Sequence, residues 1–185
     1  MPKKVLVPIA DGTEEFEAVT IIDILRRANI DVTVASVGAE QITASKGVKI
    51  VADSLIADCV NETYDLIVLP GGQPGADNLR DSAELTQMLK DQAASDRLYA
   101  AICASPACVL KAHGLLDNKK ATCYPAMQAE LPIPQTDNVV VDGNCITSQG
   151  PGTAMQFALT LLKILYNKET AKKIANEMIT TNPKT

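Results

Sequence analysis

Aromatic side chains are scarce in this 185-residue chain, which contains no Trp, two Phe and four Tyr. Lys and Arg form no basic cluster, and the net charge is −5. A nucleic-acid groove needs such a cluster, and a single-strand platform needs aromatic rings. The sequence therefore predicts no nucleic-acid partner. Hydrophobic residues make up 46% and charged residues 21%, a balance that predicts a globular protein.

Paired cysteines are also absent. The number of cysteines is odd, and no two of them form a CxxC motif. This disfavours a disulfide framework and a structural zinc site, so we expect reduced thiols and no bound metal. The cysteines are Cys59, Cys103, Cys108, Cys123 and Cys145.

No hydrophobic run approaches the ~18 residues that a membrane-spanning helix needs. The N-terminal stretch MPKKVLVPIADG places two lysines before an apolar run, as signal peptides do. The run is too short, however, and no small-residue cleavage site follows it. We interpret it as a first β-strand, and we expect a cytoplasmic protein without a membrane partner.

The chain does contain short aliphatic runs that alternate with helical patterns. Such runs are typical of buried parallel strands, and their alternation with helices predicts an α/β fold with a mostly parallel sheet covered on both faces. No linker or repeat interrupts residues 1–185, which are predicted to form one domain. The predicted strands are 4–10, 31–38, 64–70 and 98–103, and the predicted helices are 13–29, 82–95 and 105–114.

Three segments depart from this alternation. Residues 42–53 indicate two short strands around Lys46-Gly47, and residues 139–148 indicate a hairpin around Asp142-Gly143. Residues 152–179 indicate two helices with a break at Asn167.

Three loops follow predicted strand ends: residues 10–15, residues 70–78 and the turn at Cys103. Ligands of open parallel sheets bind at the carboxyl ends of the strands, so the thiol, glycines and carboxylates of these loops are expected to converge. The loop PGGQPG lacks the lysine of a P-loop and the spacing of GxGxxG. It forms either an ordinary tight turn or, beside the thiol, a site whose backbone N–H groups bind an anion.

Cys103 is the candidate nucleophile. Apolar residues precede it, and Ser105-Pro106 is typical of a helix start, so Cys103 is predicted to lie in a sharp strand-to-helix turn. Unpaired N–H groups at a helix start stabilise a thiolate and lower the thiol pKa. The alternative is a buried, inert cysteine, which is the commoner state of a free thiol.

The base for this thiol is not a histidine. His113, the single histidine, follows Cys103 by ten residues, roughly 15 Å along a helix, and is interpreted as a cap of the helix end. Glu14 and Glu15 are interpreted as complements of the first helix's dipole.

Glu17 heads an apolar helical stripe, which it shares with Ile21, Ile24 and Ala28. A carboxyl group on that face is expected to have a raised pKa. It then serves as a hydrogen-bond donor to a thiolate or as a general acid and base. The alternative is a rim residue that reaches water.

Four ordered motifs resemble the ThiJ/PfpI family, and in particular its parkinsonism-associated deglycase branch with bacterial oxidative-stress members. They are ADGTEEFEAV (10–19), VLPGG (68–72), AAICASP (100–106) and TSQGPGT (147–153). The resemblance extends over essentially the whole chain. It implies a flavodoxin-like three-layer sandwich and a homodimer, with Thr20, Asp23 and Arg27 of the first helix at the dimer contact.

The resemblance also implies the roles of site residues. Cys103 corresponds to the oxidation-sensitive nucleophile and Glu17 to the protonated glutamate beside it, while Gly72 and Ala104 supply backbone N–H groups and Gly71 shapes the loop. It implies a cofactor-independent glyoxalase or deglycase that acts on small reactive aldehydes, above all methylglyoxal, or on glycated proteins. The alternative is a redox-responsive sensor or chaperone whose cysteine oxidises to a sulfinic acid.

The sequence departs from the family pattern near the site. Tyr124, in TCYP, occupies a position where relatives often have histidine, and with an ordinary pKa of about 10 it is a poorer proton shuttle. Ala104 replaces the histidine of protease-like members, which disfavours protease activity. Lys46 and Gln149 stand where close relatives often have basic residues. Tyr124, Lys46 and Pro151 are the residues expected around the reactive pair.

Overall fold

A computed structural model describes residues 2–180 of the chain. The predicted domain of residues 1–185 includes residues 1 and 181–185, which lie outside the described part. Within it the strands are β1 (Lys4–Ile9), β2 (Asp31–Ser36), β3 (Gln41–Thr43), β4 (Lys49–Val51), β5 (Ser54–Leu55), β6 (Leu66–Leu69), β7 (Leu98–Ile102), β8 (Lys120–Ala121), β9 (Ile133–Pro134), β10 (Val139–Asp142) and β11 (Cys145–Ser148).

Helices follow most of the strands. The α-helices are α1 (Glu15–Arg27), α2 (Ile56–Cys59), α3 (Gly75–Asp81), α4 (Ala83–Ala94), α5 (Ala154–Leu165) and α6 (Lys168–Glu177). A π-helix spans Pro106–Lys111, and 3₁₀-helices span Pro125–Glu130 and Pro151–Thr153. None of the helices described is long and apolar enough to cross a membrane.

The central sheet has seven strands in the order β10–β11–β7–β6–β1–β2–β5. All neighbours in it are parallel except β10 and β11, which form the hairpin predicted around Asp142-Gly143. The predicted strands around Lys46-Gly47 are β3 and β4, a separate antiparallel pair.

The sheet is covered on both faces, so the predicted α/β sandwich of flavodoxin-like type is confirmed. On one face Val5 and Val7 pack in a core with Ile21 of α1 and Phe157 of α5. On the other face Leu6 packs in a core with side chains of α4 and the π-helix, such as Leu89 and Val109. Alternate residues of β1 therefore face opposite layers, which requires the continuous apolar run seen in the sequence.

The helix after Cys103 is shorter than predicted. It is a six-residue π-helix, not an α-helix over 105–114, and Pro106 at its start lacks an N–H donor. His113 is therefore not the cap of a regular helix end. Its Nε2 lies 3.0 Å from Arg80 O and 3.0 Å from Thr86 Oγ1, so it joins the end of this segment to α3 and α4.

Helix α3 was not predicted, because its first residues belong to the loop assigned to 70–78. Pro74 and Gly75 at its start are poor helix formers, and seven residues give little periodic signal. The break between α5 and α6 is at the predicted place, where Asn167 Oδ1 accepts a hydrogen bond from Thr170 N at 2.8 Å.

Candidate active site

Cys103 stands at a sharp turn directly after β7, as predicted. Its backbone has φ +64°, a left-handed conformation that costs a non-glycine residue about 1–2 kcal/mol. Hydrogen bonds hold the turn from two sides: Cys103 N donates to Ser148 O at 3.0 Å, and Tyr124 N donates to Cys103 O at 2.8 Å. Cys103 is buried, with 9% of the residue exposed to solvent.

The glycine loop lies against this turn. A Cβ added to Gly71 would be 2.6 Å from Cys103 Cβ and 2.9 Å from Glu17 Oε2, so only glycine allows this close approach. Gly72 has φ +93°, and a Cβ there would lie 2.4 Å from Glu14 N. The glycine loop therefore packs closely against the loop that precedes α1 and against the turn at Cys103. Such packing distinguishes it from an ordinary tight turn.

Glu17 is fully buried in the first turn of α1, so the interpretation as a rim residue is wrong. Its Oε2 accepts a hydrogen bond from Gly71 N at 2.7 Å. Its Oε1 is buried without a hydrogen-bond partner among the described residues. The carboxyl group also interacts with the thiol of Cys103. Glu17 therefore keeps one buried carboxyl oxygen without a hydrogen bond in the neighbourhood of the thiol.

The electrostatics of the pair differ from the prediction. Burial raises the pKa of Glu17 from 4.5 to about 7. Burial, and then the charge of Glu17, raise the pKa of the Cys103 thiol to about 12. The predicted lowering of the thiol pKa is therefore wrong for a thiol beside ionised Glu17. Hydrogen bonds from the N–H groups of Gly72 and Ala104 act in the opposite direction and stabilise the thiolate.

The pKa values of Glu17 and Cys103 indicate that the pair carries one negative charge between about pH 7 and pH 12. The first proton leaves the pair near pH 7, and the second leaves only when two buried charges are forced together. Because Glu17 has the lower pKa, the charge rests mainly on the carboxylate, with Gly71 N–H as donor. In a second, minor form the charge is on the sulfur, with two backbone N–H donors. In the second form Glu17 is a neutral acid.

Glu14 and Glu15 have different roles. Glu14 Oε2 accepts from Glu17 N at 2.7 Å and caps α1, in line with the predicted dipole role. Glu15 is buried and binds the β3–β4 turn, since its carboxylate accepts from Ser45 Oγ at 3.0 Å and from Lys46 N at 2.8 Å. Burial raises the pKa of Glu15, but hydrogen bonds from its own backbone N–H, from Ser45 and from the N–H groups of Lys46 and Val48 outweigh it, and the net pKa is lowered. No sequence pattern indicated this tether.

Residues 3–164 match the DJ-1/PfpI family. The chain belongs to this family. Protein DJ-1 homolog B of Arabidopsis thaliana is 51% identical over 173 residues, which are 90% of this chain and 39% of that protein. The chain thus spans about two fifths of the length of that plant relative.

Two further relatives are matched over most of their own length. The oxidised DJ-1 of Toxoplasma gondii superimposes with a TM-score of 0.96 at 52% identity, covering 97% of this chain and 99% of that one. The glutathione-independent glyoxalase DJR-1.2 of Caenorhabditis elegans is 37% identical over 169 residues, 89% of each chain.

The remaining predicted site residues of this DJ-1/PfpI protein differ in how they are connected to the pair. Tyr124 is hydrogen-bonded through its backbone to Cys103, while the residue as a whole is 47% exposed and its ring lies near Gly150. Lys46 is exposed and joins Glu15 through its backbone. Pro151 is half-buried at the start of a 3₁₀-helix. Within residues 2–180, no hydrogen bond or ion pair links Lys46 or Pro151 to the thiol.

Replacing Gly71 with alanine is expected to separate the thiol from Glu17 in this DJ-1/PfpI site. Overpacking of a buried position costs about 1–3 kcal/mol of the free energy of unfolding. Urea denaturation of Gly71→Ala measures this cost. Gly38→Ala is the matched control, because a Cβ at Gly38 meets no atom within 4 Å. Equal unfolding free energies for the two variants would show that the close approach at Gly71 is unimportant.

Proposed function

We propose that this protein is a cofactor-independent glyoxalase and deglycase, which converts methylglyoxal and its adducts without glutathione. The observation that carries the proposal is the buried pair of a thiol and a carboxyl group with one charge between them, beside two backbone N–H donors. The C. elegans relative named as a glutathione-independent glyoxalase supports it.

The first step is addition of the thiolate to the aldehyde. In the reactive form Glu17 holds the proton and Cys103 the charge. The sulfur forms a bond to the aldehyde carbon, and the carbonyl oxygen takes up a proton to give a hemithioacetal. The N–H groups of Gly72 and Ala104 stabilise negative charge as it moves from sulfur to oxygen.

The second step is a proton transfer within the bound substrate. Glu17, now ionised, takes the proton from the former aldehyde carbon and returns it to the neighbouring carbonyl carbon. The hydroxyl proton of the hemithioacetal moves to the neighbouring carbonyl oxygen in the same step, which leaves a thioester on Cys103. Water then cleaves the carbon–sulfur bond, releasing lactate and the thiol. On a glycated amine or thiol, the thiolate would displace the original group from the former aldehyde carbon: a bond from Cys103 sulfur forms as the bond to the amine or thiol breaks. Glu17 would give the departing group its proton, and the same hemithioacetal would result. A carboxyl group whose first proton leaves near pH 7 is suited to both proton transfers.

Lactate formation from methylglyoxal, measured without glutathione, tests the proposal. We expect turnover by the purified protein and its loss after one equivalent of iodoacetamide has alkylated Cys103, as verified by peptide mass spectrometry. Full turnover by protein alkylated at Cys103 would disprove the proposed reaction.

A redox-sensor or chaperone function is the second candidate. Peroxide would oxidise the Cys103 thiolate to a sulfenate and a second peroxide would give the sulfinate, each releasing water. The unpartnered Glu17 Oε1 favours this, because a protonated Oε1 can donate to a sulfinate oxygen. Mass spectrometry after mild peroxide is expected to locate the added oxygens on Cys103. Oxidation confined to other residues would refute the sensor.

We also propose a homodimer. On α1, Phe16 and Val19 are 58% and 51% exposed, and on the adjacent β3–β4 hairpin Val48 and Val51 are 49% and 63% exposed. Among the residues suggested by resemblance, Asp23 and Arg27 already form an ion pair with each other at 2.6 Å. The apolar residues therefore carry the proposed contact.

Light scattering at micromolar concentration tests the dimer. The wild type is expected to have twice the mass of one chain, and Phe16→Glu the mass of one chain. Val141→Glu is the control, since Val141 is 51% exposed on β10. A monomeric wild type, or a Phe16→Glu variant that stays dimeric, would contradict the proposal.

Five free cysteines are compatible with the reducing cytoplasm, which we propose as the location of the protein.

A further inference from the structure

We propose that Ser105 is a positioning residue for the Glu17–Cys103 pair, and that it acts through a single peptide group of the glycine loop. The inference rests on the reactive pair described above and adds a residue to it. Ser105 touches neither the carboxyl group nor the thiol by a hydrogen bond. Its hydroxyl acts on the loop that separates them.

The peptide group between Pro70 and Gly71 is held at both ends. Ser105 Oγ donates to the carbonyl oxygen of Pro70 at 2.6 Å. The N–H of Gly71, in the same planar group, donates to Glu17 Oε2 at 2.7 Å. Ser105 is fully buried, so water does not compete for this hydroxyl.

The two hydrogen bonds reinforce each other. A donor on the carbonyl oxygen polarises the amide and makes its N–H a stronger donor, and it fixes the plane so that the N–H points at Glu17. The hydrogen bonds that hold the rest of the loop, from Glu14 N to Gly71 O at 2.9 Å and from Ala76 N to Gly72 O at 2.8 Å, act on other peptide groups. Loss of the hydroxyl would therefore weaken the bond from Gly71 N–H to the carboxylate of Glu17.

A helix-capping role does not account for Ser105. Its side chain makes no capping hydrogen bond to the π-helix that follows. The ionisable groups that act on Glu17 are Cys103 across the site and Glu14 at the start of α1, and Ser105 carries no charge that could replace either. Ser105 is therefore predicted to affect the pKa of Glu17 through the Pro70–Gly71 peptide group.

The titration of Glu17 tests this role. Carbon-13 NMR of glutamate-labelled protein reports the carboxyl titration, and the Glu17 signal is assigned by its absence in Glu17→Gln. Because the N–H bond favours the ionised carboxyl, Ser105→Ala is expected to move the midpoint upward by about half a pH unit to one unit. The pH profile of Cys103 alkylation should move in the same direction.

Ser105→Thr restores the hydroxyl and is expected to restore the wild-type midpoint. If Ser105→Ala does not fold, Ser105→Cys, which keeps a weaker donor, should show a smaller upward shift. Unchanged titration in Ser105→Ala, or in Ser105→Cys where that variant replaces it, overturns the proposal. So does a threonine variant that titrates like the alanine variant. Neither readout uses methylglyoxal, so an inactive wild type would refute the glyoxalase proposal without deciding this one.

Discussion

Cys103→Ser is expected to abolish lactate formation, with a fall in kcat/KM of at least about a thousandfold, because a serine hydroxyl stays protonated where the thiol can ionise. The substitution changes one atom and leaves the left-handed turn at φ +64° in place, so the variant is expected to fold. Lactate release is measured enzymatically, and the thermal midpoint of unfolding is measured on the same sample.

Cys108→Ser is the matched control. Cys108 lies in the π-helix next to the turn and is half-buried, with Gln73 Nε2 3.2 Å from its sulfur. Burial raises the pKa of the Cys108 thiol, and no carboxyl group with a pKa near 7 is paired with it. Its replacement should leave turnover within about twofold of wild type, a difference of less than 1 kcal/mol in the barrier. Equal losses in both variants would mean that activity does not depend on Cys103 in particular.

Glu17→Gln is expected to remove the pH dependence that Glu17 gives to stability. The pKa of Glu17 is about 7 in the folded chain and ordinary, 4.5, when unfolded, so the folded state binds more protons between these values. The free energy of unfolding contributed by Glu17 is therefore greatest below pH 4.5. It falls as the pH rises to 7, by about 3 kcal/mol in total.

The glutamine side chain introduced by Glu17→Gln does not titrate, so the variant should be more stable than wild type at pH 8 and should lose this advantage at pH 5. Urea denaturation at several pH values measures the difference. Glu40→Gln, at an exposed position, is the control and should parallel the wild type. Lactate formation by Glu17→Gln should fall by about a hundredfold or more, since no group then moves the proton. Parallel stability curves for wild type and Glu17→Gln would show that Glu17 titrates normally.

Much of the site could be predicted from local sequence. Strand β1 and the turn at Cys103 follow from apolar runs and from Ser105-Pro106. Glu17 follows from its place on the apolar stripe of α1. In each of these three cases the sequence pattern lies within a few residues of the feature that it predicts, and the structure has the feature at the predicted position.

The misjudged features depend on contacts between distant segments. The thiol pKa is raised by burial and then by the charge of Glu17, which is 86 residues away in the sequence. The tether of Glu15 to Ser45 and Lys46, and the bond from Ser105 to Pro70, join segments 30 to 35 residues apart. Local periodicity contains no information on such pairs. The π-helix was also missed, because its hydrogen-bond pattern is set by packing and has no distinct sequence period.

The left-handed backbone at Cys103 has a consequence for how this position can change. Glycine adopts that conformation without the cost of about 1–2 kcal/mol that a side chain incurs. A laboratory selection for thermal stability alone would therefore tend to replace Cys103 with glycine. The selected protein would be more stable but inactive. Only a selection that also demands the thiol's chemistry would retain Cys103.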